Sequence, residues 1–137
     1  MDKTQVLKFI SKQRTAFIAS VDEQGYPNMR AMLKPRKIED GAIYFSTNTS
    51  SNKVRQFIAN SKGSVYFYKR GLFRYQGVMI TGEVEVCTDQ KTKQEIWRKG
   101  DAMFYKKGVT DPDYCVLKFT CKRAHCYCDL KLETVGF

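Results

Sequence analysis

The stretch IYFSTNTSSNKVRQFIANSKGSVYFY, Ile43 to Tyr68, decides how this chain is read. It opens with an apolar run that predicts a strand and crosses six hydroxyl or amide side chains from Ser46 to Ser51. It then falls into helical spacing, with Val54, Phe57 and Ile58 on one face. A Lys-Gly pair ends the helix, and SVYFYK predicts the next strand. A strand that passes into a helix through small donors and Lys53, with no glycine, has two readings. The helix start presents unpaired N–H groups and a positive dipole end, so the hydroxyls of Ser46, Thr47, Ser50 and Ser51 and the ammonium of Lys53 can hold a phosphate. Alternatively Ser50 or Ser51 only caps the helix. Local pattern leaves both open.

The surrounding sequence bounds the answer. The 137 residues suit one domain, 1–137, with a real core, and an apolar content of 42% with nine Phe and eight Tyr excludes a disordered chain. No apolar stretch approaches the roughly 20 residues needed to cross a bilayer, and the N-terminal MDKTQVLKFISKQ lacks a signal-peptide pattern. No membrane association is expected, and cytoplasmic residence is. A balance of 24 Lys+Arg against 14 Asp+Glu implies an anionic ligand or partner. The basic residues are spread along the chain instead of forming a tail, and no recognition helix or zinc finger is apparent, so nucleic acid is not the expected partner.

Outward from the opening stretch, strands dominate. Asp2 predicts the N-cap of a short helix with Val6, Phe9 and Ile10 on its apolar stripe, lying outside a sheet. TAFIASV and NMRAMLKPRKI predict an antiparallel pair across the turn DEQGYP, with Pro35 interrupting the second strand. RYQGVMITGEVEVCT alternates as one long strand in which Gly82 marks a bend or bulge. DQKTKQEIWRKG predicts a helix from Asp89 to Gly100, DAMFYKKGVTDPDY a loop, and the C-terminal segment two more strands. The expected fold is mainly β with flanking helices, a six- to seven-stranded antiparallel barrel.

Few residues offer protein-based chemistry. In MRAMLK, strand alternation puts Arg30, Met32 and Lys34 on one face, two cations around an apolar residue. Cys121, Cys126 and Cys128 lack paired C-x₂-C spacing and read as packing thiols, Cys126 and Cys128 sharing a face with Ala124 and Leu130. His125 points away from that face, and Trp97 reads as a helix-packing residue. There is no carboxylate pair, triad or metal set.

The order of the pieces resembles the pyridoxamine 5′-phosphate oxidase-like flavin-binding split barrels, and within them the general stress protein 26 group. FIASVDEQGYPNMRAM is similar to the family's first hairpin, IYFSTNTSSNKVRQFIANSKGSVYFY to its strand, phosphate loop, helix and following strand, and ITGEVEV to its Gly-x-x-x-Val strand. EIWRKGDAMFYKKGVTDPDYCVLKF resembles the Trp, aromatic–basic–Gly and Asp-Pro-Asp sequence of the stress-protein group. The resemblance implies a split barrel holding FMN at a homodimer interface. By position it implies that Arg30 and Lys53 meet the phosphate, with Ser51 and Asn52 beside them. Ser46 and Thr47 would donate to the phosphate or the ribityl chain. The backbone of Ala31, Met32 and Leu33 would run beside the flavin ring, and Gln76 would take the place of the family's glutamine on the long strand.

The sequence also departs from the oxidases. Asn52 stands where they often carry Arg, Pro35 where they carry a substrate-contacting Lys, and their C-terminal segment has no counterpart. FMN binding and flavin-dependent oxidoreduction of an unknown small molecule are expected, and oxidation of pyridoxamine phosphate itself is not. A non-catalytic stress protein that binds flavin or nucleic acid is the alternative.

Overall fold

The structure is a computed structural model that describes all residues, Met1–Phe137. Eight antiparallel strands form one sheet: β1 (Thr15–Val21), β2 (Pro27–Leu33), β3 (Lys37–Glu39), β4 (Ala42–Asn48), β5 (Lys62–Arg70), β6 (Tyr75–Cys87), β7 (Tyr114–Cys128) and β8 (Lys131–Gly136). Their order is β2-β1-β5-β6-β7-β4-β3, and β8 continues along β7 beyond the end of β4. The sheet curls around one core but does not close, which defines a split barrel. No helix is long and apolar enough to cross a membrane.

The strand number exceeds the expected six or seven because NMRAMLKPRKI is two strands. Pro35 lacks an N–H and cannot continue a ladder. The chain therefore leaves β1 after Leu33 and pairs again as β3, now with β4. The barrel opens at this point. Strand β2 has β1 as its only neighbour, and beyond Tyr44 β4 is paired on the β7 side alone.

Helix α1 (Lys3–Ser11) begins at Asp2, whose carboxylate accepts from the Gln5 N–H while the Asp2 N–H donates to Gln5 Oε1. It does not lie outside the sheet. Val6, Phe9 and Ile10 enter the same core as Ile18, Phe67 and Ala124, because an open barrel end leaves those inward side chains uncovered. Each fully buried aliphatic or aromatic side chain there contributes about 1.5–3 kcal/mol.

The bend expected at Gly82 is a β-bulge. Thr81 pairs with Arg123 and Gly82 with Cys121, leaving Lys122 as the extra residue. The bulge reverses the inward parity of β7, so Phe119 and Cys121 face the core before it and Ala124 and Cys126 after it. Any side chain at Gly82 would run into the Thr120 carbonyl and the Phe119 ring. Leu130 does not share the inward face of Cys126. It sits with Asp129 in the β7–β8 turn, both at positive φ, and is exposed. All five cysteines are free thiols.

Helix α3 (Gln90–Ile96) starts at Asp89 as expected and stops at Trp97, before Gly100, because the indole turns out of the helix to pack on Tyr105 and Tyr114. The segment read as loop carries two short 3₁₀ turns, Lys99–Met103 and Gly108–Thr110. A second small core of Cys87, Ile96, Tyr114 and Val116 holds this insertion against the outside of β7. Arg36 and Asp101 lock it to the β2–β3 connection through two hydrogen bonds, 2.8 and 2.6 Å, in a largely buried ion pair.

Candidate functional site

Helix α2 (Asn52–Ala59) is anchored by Val54 and Phe57, both buried. The Phe57 ring fills the space that a side chain at Gly63 would need, 2.7 Å from an ideal Cβ there. This contact seats α2 on Gly63 of β5, and the helix also packs against β1 and β6. Ile58, expected on the same stripe, is exposed. One residue beyond Phe57 it is turned about 100° around the axis.

The first turn of α2 is unsatisfied. Ser51 is the N-cap by backbone geometry, yet its side chain makes no capping hydrogen bond. Its Oγ is buried without any partner. Buried hydroxyls are almost always paired, so this orphan makes the helix start a candidate site. The Ser51 N–H donates to the Asn48 carbonyl at 3.1 Å, while no side chain serves the first amides of the helix itself.

Two cations converge here. Arg30 on β2 turns inward and donates to Ser20 Oγ at 2.8 Å, to the Ile18 carbonyl at 3.3 Å and to Gln56 Oε1 at 3.3 Å. Ser20 also donates to Gln56, and Gln56 to Asn28. Neither Arg30 nor Lys53 belongs to any of the four ion pairs of the protein. Burial lowers the Arg30 pKa. Lys53 is lowered first by burial and then by the positive charge of Arg30, while the neighbouring Cys115 thiol works the other way. Burial raises Cys115, opposed by the nearby Thr49 side chain and the charge of Lys53. Two partly desolvated cations that repel each other are costly unless an anion joins them.

The sequence-predicted residues divide accordingly. Arg30, Ser51, Lys53 and Thr47 gather on the inner side, Thr47 being buried and paired across the ladder with Cys115. Ser46, next to Thr47, presents the opposite face of β4 and lies across from Val116 of the second core. Asn52 is exposed and accepts from Arg55 at 2.7 Å. Ala31 and Leu33 face outward from the free edge strand and Met32 is buried beneath them. Gln76 does not join the cluster within one protomer. It lines one cleft with Gln5 and Phe9 of α1 and Gln13 just beyond that helix, and its amide donates to Cys128 Sγ at 3.4 Å.

Sequence reasoning missed Ser20 and Gln56, which hold Arg30. The signal was present in the inward alternation of Ala16, Ile18 and Ser20, where a hydroxyl follows two apolar residues.

The open antiparallel barrel is the split-barrel fold of the pyridoxamine 5′-phosphate oxidase-like proteins. The chain belongs to the pyridoxamine 5′-phosphate oxidase family, whose model matches residues 3–128. A protein from Clostridium acetobutylicum related to general stress protein 26 is 30% identical. Its crystal structure superimposes with a TM-score of 0.85 over 98% of this chain and 93% of the other. A pyridoxine/pyridoxamine 5′-phosphate oxidase from Shewanella woodyi is 38% identical over 88 residues, 64% of this chain and 40% of that protein. The chain thus spans well under half the length of such curated relatives. A FAD-binding protein from Mesorhizobium loti shares the fold at 14% identity and a TM-score of 0.72, covering 90% of this chain and 92% of that one.

Proposed function

We propose that this chain is an FMN-binding protein whose phosphate site is the Arg30–Ser51–Lys53 cluster, acting as a flavin-dependent oxidoreductase on a small molecule. One observation carries the reading: Arg30, bonded to Gln56 of α2, and Lys53, one turn earlier on the same helix, both lack a carboxylate partner, and the buried Ser51 hydroxyl at that helix start is unpaired. A phosphate monoester satisfies all three at once. Thr47 supplies a further hydroxyl from the strand end, and the free edge of β2 at Ala31–Leu33 offers backbone groups to a planar ring. When bound, the flavin supplies hydride or electron transfer. The chain's own part is to hold, orient and shield it.

A homodimer completes this arrangement. Ala31, Phe17, Tyr66, Met79, His125 and Thr134 pair in one row across the outer face of the sheet. Met29 and Leu33 lie exposed beside that row. The row begins at the strand proposed to flank the flavin, so a second copy seated on it would cover the ring as well. The stress-related role is supported by likeness to the Clostridium acetobutylicum protein, which is itself related to general stress protein 26.

The test is a titration of purified protein with FMN, FAD and riboflavin, followed by flavin absorption and fluorescence. Tight binding of FMN, with riboflavin at least tenfold weaker, is expected. Equal affinity for FMN and riboflavin refutes the phosphate assignment. Bleaching of the bound flavin band by NADH or NADPH, and its return with an electron acceptor, distinguishes an oxidoreductase from a flavin carrier.

A further inference from the structure

The Asp-Pro-Asp segment, Asp111 to Asp113, touches the phosphate loop and no part of the proposed function uses it. The Thr49 N–H donates to the Asp113 carbonyl at 2.7 Å, and the Thr49 hydroxyl donates to the Pro112 carbonyl at 3.1 Å. The Ser50 N–H donates to Asp113 Oδ1 at 2.9 Å. These contacts hold both residues between Asn48, the last of β4, and the Ser51 cap. The segment is itself fixed from behind. Asp111 accepts through its carboxylate from the N–H groups of Asp113 at 2.9 Å and Lys107 at 3.1 Å. Its carbonyl accepts from the buried Lys93 ammonium at 3.0 Å, and the Lys93 carbonyl accepts from Tyr114 at 2.7 Å.

An acidic side chain beside an anion site needs a reason. By charge alone Asp113 disfavours a phosphate, although its exposure to water screens most of that effect. What it supplies is geometry. The Thr49 and Ser50 amides, both spent on Asp113, tie down the loop in the conformation that buries Ser51 Oγ and leaves the first amides of α2 without a side-chain partner. We infer that Asp113 is a positioning residue, a hydrogen-bonded latch that sets the loop for a phosphate monoester without touching it. Lys93 and Asp111 form the anchor of that latch. The inference rests on the phosphate reading of the Arg30–Ser51–Lys53 cluster.

The experiment uses the full chain with Asp113→Ala and Asp113→Asn, measuring dissociation constants for FMN and riboflavin and amide hydrogen exchange at Thr49 and Ser50 in the flavin-free protein. Losing one such bond predicts about three- to tenfold weaker FMN binding in Asp113→Ala. Riboflavin affinity should stay within about twofold, and exchange protection at Ser50 should be lost even without flavin. Asp113→Asn keeps the acceptor oxygen and removes the charge, so it restores both FMN affinity and protection. The latch is overturned if Asp113→Ala binds FMN as well as or better than wild type. It is likewise overturned if Asp113→Asn fails as badly as alanine, or if riboflavin falls by the same factor. A wild type that binds FMN and riboflavin alike overturns the phosphate reading instead, and exchange at Ser50 still reports whether Asp113 orders the loop.

Discussion

Replacing Arg30 or Lys53 by alanine should weaken the cofactor complex while leaving the flavin-free fold intact, and the two effects come from the same geometry. Each cation, on the phosphate reading, gives one charge-assisted hydrogen bond, so each loss costs about 1.5–3 kcal/mol, or about ten- to a hundredfold in Kd for FMN. Riboflavin lacks the phosphate and should be nearly indifferent. In the flavin-free protein Lys53 makes no ion pair, and Ser20 already donates to Gln56, so Arg30→Ala leaves that hydroxyl satisfied. Removal of either charge also relieves the repulsion that lowers the Lys53 pKa after burial. Stability should therefore stay within about 0.5 kcal/mol of wild type or rise slightly. The assay is a pair of flavin titrations with urea denaturation as the control. Unchanged FMN affinity in both variants, an equal loss for riboflavin, or destabilisation above about 2 kcal/mol would each show that the charges serve the fold instead of a phosphate.

Four further outcomes are expected. Asp101→Ala should destabilise the protein by about 3–5 kcal/mol in chemical denaturation, because the largely buried Arg36 guanidinium loses its bidentate partner. Burial acts to raise the Asp101 pKa, but the hydrogen bonds from Arg36 and the Arg98 N–H outweigh it and hold the carboxyl below its ordinary value. The folded pKa is thus below the unfolded one, so this contribution is present above about pH 4 and lost as pH falls through the folded value. An Asp101→Asn variant should show that part of the acid sensitivity removed. Gly82→Ala should cost at least about 1–3 kcal/mol from its collision with the Thr120 carbonyl and Phe119, read as a lowered denaturation midpoint. Sedimentation should give a dimer for wild type, and Met79→Asp, at the centre of the outer row, should shift it toward monomer; a wild-type monomer that still binds FMN tightly would contradict the dimer.

The sequence by itself determined the local elements, because these depend on spacing and caps within a few residues. Asp2 with Gln5 wrote the start of α1, Asp89 that of α3, and the alternation through Val78, Ile80 and Val84 wrote β6 with its bulge at Gly82. Lys53 and the hydroxyl run marked a candidate anion site from composition and order. Tertiary structure decided what surrounds that run. Ser51 has the backbone angles of an N-cap, and the folded chain buries its Oγ without a partner, which local pattern does not foretell. The hydrogen bond from Arg30 to Gln56 joins β2 to α2, a contact that no local pattern encodes. The position of α1 and the inward parity of Cys121 and Cys126 were also decided at this level. The first follows from an open barrel end that needs covering, and the second from one extra residue at Lys122 that is visible only when β6 and β7 are paired. Periodicity reports which residues want burial; the register of distant strands decides against what they are buried.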